Sequence, residues 1–461
     1  MINMSPVKNI APTLEPSERI RTFNEVSFGY SPELAKDEAQ RCLNCQDPKC
    51  IKGCPINIQI PKFIEAIRNN DIDEAYRIIS IDSFLPKICG RVCPQESQCE
   101  KECVRGLNGD PVSIGKLERF VGDYHKSTPK NRDDITPNGK KVAVVGSGPS
   151  GLTCAYDLIK LGYEVKVFEA LHVIGGVLTY GIPEFRLPNS IVNERVNALK
   201  DLGVQFETNV VIGKTITIDE LFNEFHFDAV YIATGAGLPR FMNIKGENLK
   251  GVYSANEYLT RINLMRAYDI SSSTPILKSN KVAVVGGGNV AMDAARCAVR
   301  LGAKEVYIIY RRGMDELPAR KEEVVHARQE GIVFKLKTNP LEIIGDEDGF
   351  VNKIKLIKME LGESDTSGRK TPKEKAGSEF ELNVDTVVMA LGTSPNPLLK
   401  NSVNDLDFNS YGCIVVDPYT LKTSKEKVFA GGDAVSGSAT VILAMSAGKR
   451  AAKSIDEYLS Q

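Results

Sequence analysis

Eight of the eleven cysteines lie between Cys42 and Cys103, as Cys42-x2-Cys45-x4-Cys50-x3-Cys54-Pro55 and Cys89-x3-Cys93-Pro94-x4-Cys99-x3-Cys103. Soft thiolates two to four residues apart, on short runs ended by proline, can turn inward together and cage an iron-sulfur cubane. Structural zinc instead takes two short Cys or Cys/His pairs held apart by a longer loop. Here the sulfurs are staggered in fours, and the chain has four histidines. A secreted disulfide framework would need an export signal, and the polar stretch Met1 to Pro6 has no apolar core for one. The spacing predicts iron-sulfur electron transfer, and the absence of a signal predicts a cytoplasmic location.

A second set of residues is suited to phosphate. Lys141-Val-Ala-Val-Val-Gly146-Ser-Gly148-Pro-Ser-Gly151 returns 140 residues later as Lys281-Val-Ala-Val-Val-Gly286-Gly-Gly288-Asn289-Val-Ala291. In each, the first glycine permits a tight turn and the second lets a pyrophosphate approach the backbone. The third position, Gly151 or Ala291, lets helix pack on strand, and the helix N-terminus faces the phosphates. Each turn follows an apolar strand and opens an amphipathic helix, with a second apolar strand beyond a glycine stop, so the sequence predicts two βαβ dinucleotide-binding units.

The end of the second strand separates the two sites. Glu169 can accept from ribose hydroxyls and repels a 2′-phosphate, which suits FAD or NAD. Arg311-Arg312 puts two forked cations where an acid would otherwise stand, which suits the 2′-phosphate of NADPH. Flavin at the first site is supported by the glycine-rich Gly175-Gly176 to Pro183 loop and by two strand ends at Thr234-Gly235 and Leu391-Gly392. It is supported too by Gly431-Gly432-Asp433 ahead of a helix starting near Thr440, where Asp433 can bind the ribityl chain.

The elements that must position these residues follow from length and periodicity. A chain of 461 residues exceeds one domain. Apolar residues at helical spacing from Ile60 to Ile81 predict two helices between the cysteine groups, and the polar, proline-bearing stretch Lys126 to Gly139 reads as a linker. The net charge of -1 gives no reason to expect nucleic acid or an anionic membrane, and no apolar run approaches a membrane span. Cys154, Cys297 and Cys413 form no redox pair in sequence, and the histidines show no ligand spacing.

The ordered set of cysteine groups, Gly146/Gly148/Gly151 with Glu169, the Gly175 to Pro183 loop, the second glycine turn with Arg311-Arg312, and Gly431-Gly432-Asp433 resembles the glutamate synthase small subunit family. That family includes the large subunit of NADH-dependent reduced ferredoxin:NADP oxidoreductase, and its architecture recurs in dihydropyrimidine dehydrogenase. The resemblance implies an α/β fold: a helical two-cluster iron-sulfur domain (1–125), then an FAD domain in two parts (126–254 and 386–461) with the NADPH domain (255–385) inserted between them. It implies FAD, NADPH and two 4Fe-4S clusters, one on Cys42, Cys45, Cys50 and Cys103, the other on Cys54, Cys93, Cys99 and Glu118. Cys89 is left over, and eight cysteines also allow a scheme in which it is a ligand. The implied function is electron transfer between NADP(H), FAD, the clusters and a partner. The partner would be a glutamate synthase large subunit or, in the alternative, a small flavoprotein working with ferredoxin around a bifurcating FAD.

Overall fold

The computed structural model describes residues 2–125, 135–365 and 368–461. Most of the expected linker, Lys126 to Asp134, lies outside the described residues.

The N-terminal part is helical. The two predicted helices are Ile60–Arg68 and Ile72–Asp82, and Asp71 caps the second by accepting from Glu74 N. With Pro32–Gln40, Pro86–Val92 and Ile114–Tyr124 they bury Phe63, Ile64, Ile67, Ile79, Leu85 and Leu117 in a shared core. Each fully buried side chain of this size is worth about 1.5–3 kcal/mol. The cysteine runs occupy the irregular chain between these helices.

Two five-stranded parallel sheets follow, and the sequence repeat extends to their whole topology. The first runs Val428–Ala430, Ala229–Ile232, Lys141–Val145, Glu164–Phe168, Gln205–Glu207. The second runs Val252–Ser254, Thr386–Met389, Lys281–Val285, Glu305–Tyr310, Val333–Leu336. The strands are near-continuous Val/Ile/Ala runs because helices cover the sheet faces. Val428–Ala430 belongs to the first sheet but comes after the whole second sheet, so the second unit is inserted in the first. The second sheet takes Val252–Ser254 and Thr386–Met389, which the sequence division had put in the flanking parts. The chain crosses between units where Leu238–Pro239 pairs with Thr393–Ser394, directly after Thr234-Gly235 and Gly392.

Three features lie beyond the sequence reading. An antiparallel sheet of Thr338–Gly345, Val351–Ser364, Lys370–Glu374 and Phe380–Asn383 is built onto the second unit. The Gly175 to Pro183 loop contains one helical turn, Val177–Tyr180. The C-terminal helix Val441–Leu459 packs along Pro149–Lys160, closely enough that a Cβ on Gly448 would stand 2.2 Å from Ser150 O.

Candidate functional site: a nucleotide cleft and two cysteine groups

A cleft of about 610 Å³ runs between the two dinucleotide turns. One wall is Val145 to Ser150, Glu169, Gly176, Tyr180, Thr234, Gly235 and Asp433. The other is Asn256, Gly288, Asn289 and Leu391 to Thr393. Gly146 sits at φ 106, where a Cβ would stand 2.4 Å from Ala233 O, and Gly286 repeats this with 2.3 Å to Ala390 O. A Cβ on Gly148 or Gly288 would meet nothing within 4 Å, so there the backbone lies open to a ligand. Both glycines precede helices of twelve residues, whose N-terminal N–H groups supply the anion site.

Glu169 is held by the turn it serves. Its carboxylate accepts from Ser147 N at 3.0 Å, from the Ser147 hydroxyl and from Leu171 N at 2.9 Å. In the same wall Asp433 accepts from Ala439 N at 3.2 Å, and burial pushes its carboxyl up to about 6. Burial likewise raises Tyr180 to about 12, with Asp433 and Glu169 adding to it. Thr440 caps the C-terminal helix by accepting from Leu443 N and is not in the wall, whereas its neighbours Ser438 and Ala439 are. Gly432, at φ 64, would bring a Cβ to 3.0 Å from Ser150.

Arg311 and Arg312 differ in their surroundings. Arg312 is buried, with Nε donating to Lys370 O at 2.8 Å and Nη2 to Asp365 Oδ2 at 2.8 Å, so its guanidinium anchors the antiparallel sheet. Arg311 is exposed at the strand end, and none of its polar atoms is paired among the described residues.

The cysteines divide into two groups. Cys42, Cys45, Cys50 and Cys103 line one small cavity with Leu43, Ile60 and Ile64. All four are half-buried, and burial followed by the neighbouring thiols pushes Cys50 up to about 12. Cys54, Cys93 and Cys99 are buried around Glu118. Burial raises the Cys54 thiol to about 11, with Glu118 and Cys93 adding to it. Glu118 is 7% exposed, its Oε1 has no hydrogen-bond partner, and burial pushes its carboxyl up to about 8. An orphaned carboxyl oxygen among three thiols is costly unless something positive ties them together. The donor set fits a cubane. Among the described residues no three such side chains converge as they would on one metal ion. A cubane does not require that, since each ligand binds a different iron.

Cys89 belongs to the second neighbourhood: it is fully buried, its hydrogen bond with the Cys93 thiol and burial push its own thiol up, and its Sγ also lies 3.4 Å from Met445 Sδ on the C-terminal helix. Ser446 Oγ on the next residue donates to Pro55 O at 3.0 Å. This helix, whose start forms the cleft wall at Ala439 and Ala444, therefore touches the second cysteine group within about two turns, some 10 Å. Met445 and Ser446 carry no sequence signal for this role, because helical apolar spacing predicts core there and nothing more.

Residues 116–448 match the family model described as pyridine nucleotide-disulphide oxidoreductase, and residues 19–130 match dihydropyrimidine dehydrogenase domain II, 4Fe-4S cluster. The chain is 35% identical to the glutamate synthase [NADPH] small chain of Halomonas elongata, over 96% of this chain and 94% of that one. It is 34% identical to the Escherichia coli K12 small chain, over 95% and 94%. It is 40% identical to the NADP(+)-dependent formate dehydrogenase subunit beta of Moorella thermoacetica over 89% of its length, and spans 60% of that subunit. Among solved structures, Mycobacterium tuberculosis FprA in complex with NADPH aligns with TM-score 0.58 at 23% identity, covering 70% of this chain and 85% of FprA. That level of identity speaks for the fold. Among the described residues no helix is long and apolar enough to cross a membrane.

Proposed function

The chain belongs to the pyridine nucleotide-disulphide oxidoreductase family in the form carried by glutamate synthase small chains, and from that premise we propose how its residues divide the work. It is an NADPH-linked oxidoreductase with FAD and two 4Fe-4S clusters. FAD supplies the exchange between a hydride and single electrons, which nicotinamide and clusters cannot make with each other.

In our reading the Gly146 to Gly151 turn, Glu169, Thr234, Gly235, Gly392 and Asp433 hold FAD, with Gly176 closing over the turn, Gly432 letting the chain ahead of Asp433 pass close to Ser150, and Thr440 capping the helix that follows. Gly286, Gly288 and Asn289 with Arg311 hold NADPH. Cys54, Cys93, Cys99 and Glu118 hold the inner cluster, and Cys42, Cys45, Cys50 and Cys103 the outer one. The observation that carries the order is the C-terminal helix, which runs from the cleft wall at Ala439 to the second cysteine group at Cys89 and Pro55. The second group is buried and the first half-buried, so the first is the exit toward a partner.

The partner we infer is an amidotransferase-bearing large subunit, as the small chains of glutamate synthase imply, in the reducing cytoplasm that free thiols require. Purification of the complex from its source tests this. A large flavin-containing amidotransferase subunit supports it, and a small flavoprotein with its own ferredoxin-type cluster replaces it with the ferredoxin:NADP reading.

A further inference from the structure

Asn289, the first residue of the helix after the second glycine turn, has a partner outside the cleft: its Oδ1 accepts from Arg320 N at 2.9 Å. The Arg320 side chain leaves the second unit and enters the iron-sulfur domain, where it is 5% exposed. Nη1 donates to Arg91 O, and Nη2 donates to Gln95 Oε1 at 3.3 Å. Gln95 Nε2 in turn donates to Cys89 O at 3.1 Å. The next two residues hold the same elements. Lys321 N donates to Glu96 Oε1 at 2.8 Å, and Glu322 pairs with Lys116 at 2.7 Å. Arg91 and Gln95 flank Cys93, and Lys116 is two residues from Glu118. The packing is tight, since a Cβ on Gly115 would lie 2.2 Å from Gln95 Nε2.

We propose that Arg320 is a positioning residue that couples nucleotide binding at Asn289 to the cluster held by Cys54, Cys93, Cys99 and Glu118. The proposal rests on the ligand set assigned above. A phosphate arriving at the helix N-terminus pulls on Asn289, and Asn289 fixes the main chain of Arg320. A buried guanidinium cannot exchange its partners for water, so a shift at its base is passed to Arg91 O and Gln95. Hydrogen bonds and charge beside a cluster set its potential. Coupling of this kind is reciprocal: nucleotide binding shifts the cluster potential by the same free energy by which cluster reduction shifts nucleotide affinity.

The probe is 2′,5′-ADP, which carries the 2′-phosphate and the adenosine 5′-phosphate and no nicotinamide, so it binds without exchanging electrons. The full holoprotein is titrated reductively with and without it, and the reduced clusters are followed by paramagnetic resonance. One cluster is expected to shift in midpoint by an amount matching at least a threefold change in affinity, about 28 mV for one electron. Arg320→Met should abolish the shift and Gln95→Met should reduce it, both at unchanged iron and flavin content, and Arg320→Lys should keep part of it. Where Arg320→Met loses iron, Gln95→Met decides, because it keeps the bond from Arg320 to Arg91. An unshifted wild-type cluster, or an equal shift in the variants, overturns the coupling. Absence of any paramagnetic cluster would instead remove the ligand assignment on which it rests.

Discussion

Nucleotide choice should rest unequally on the two adjacent arginines. Arg312 has two of its donors committed to Lys370 O and Asp365, whereas Arg311 is exposed and free to meet a 2′-phosphate. A charge-assisted hydrogen bond is worth about 1.5–3 kcal/mol. Exposure and salt screening put Arg311 at the lower end, about 1.5 kcal/mol, or roughly tenfold in affinity. Arg311→Ala should therefore raise the NADPH dissociation constant about tenfold and leave NADH within about twofold, and the NADPH effect should shrink as salt is added. Arg312→Ala removes the tie from the second parallel sheet to Lys370 O and Asp365 in the antiparallel sheet, so it should lower the melting temperature and weaken both nucleotides together. Calorimetric titration of each variant with NADPH and NADH checks this. Equal loss of both nucleotides in Arg311→Ala, or a selective NADPH loss confined to Arg312→Ala, would refute the reasoning.

Gly151→Ala should abolish FAD binding, because its Cβ would stand 1.9 Å from Gly146 O, while 2′,5′-ADP binding at the second turn, which already has Ala291, persists; flavin absorbance of the purified variant reads this directly. Iron analysis should find Cys89→Ser with the wild-type content and Glu118→Ala short of one cluster, and the reverse pattern would make Cys89 the ligand. Burial lowers His326 to about 4 among Glu323, Arg296, Glu322 and Arg19. The unfolded chain takes up that proton first as pH falls, so the stability from neutral His326 is full above about 6.5 and is lost on the way down to about 4, roughly 1–3 kcal/mol in all. Melting curves of His326→Gln should fall less steeply over that window than those of the wild type, and parallel curves would dismiss the assignment.

What was legible in the sequence was the chemistry carried by local spacing. The cysteine runs, both glycine turns, Glu169 and the paired helices between the cysteines are set by contacts a few residues apart, and so they show as patterns. The insertion came from the family resemblance, and the Gly431-Gly432-Asp433 motif standing beyond the second repeat agrees with it. What stayed hidden depends on contacts distant in sequence. Arg312 meets Asp365 across 53 residues, and Met445 meets Cys89 across 356. A buried ion network has the same character. Arg186 pairs with Asp293 at 2.6 Å, Arg296 and Arg300 hold Glu330, and Arg300 Nε reaches Thr22 O at 2.9 Å. Each member reads in sequence as an ordinary surface charge, yet Asp293, Arg296 and Glu330 are buried, with Arg186 and Thr22 reaching in from outside the second unit. Burial pushes Glu323 up, but Arg186 and Arg296 outweigh it and hold its carboxyl at about 2.

The central claim is one conduit from NADPH through FAD to two clusters within this chain. Anaerobic addition of NADPH to the purified protein, followed by visible absorbance with iron and flavin analysis, tests it most directly. The account predicts about eight irons and one FAD per chain, with both the flavin bands and the broad iron-sulfur absorbance bleached by NADPH and far less readily by NADH. A colourless protein containing zinc, or a flavin that bleaches while the iron-sulfur absorbance stays unchanged, would contradict it.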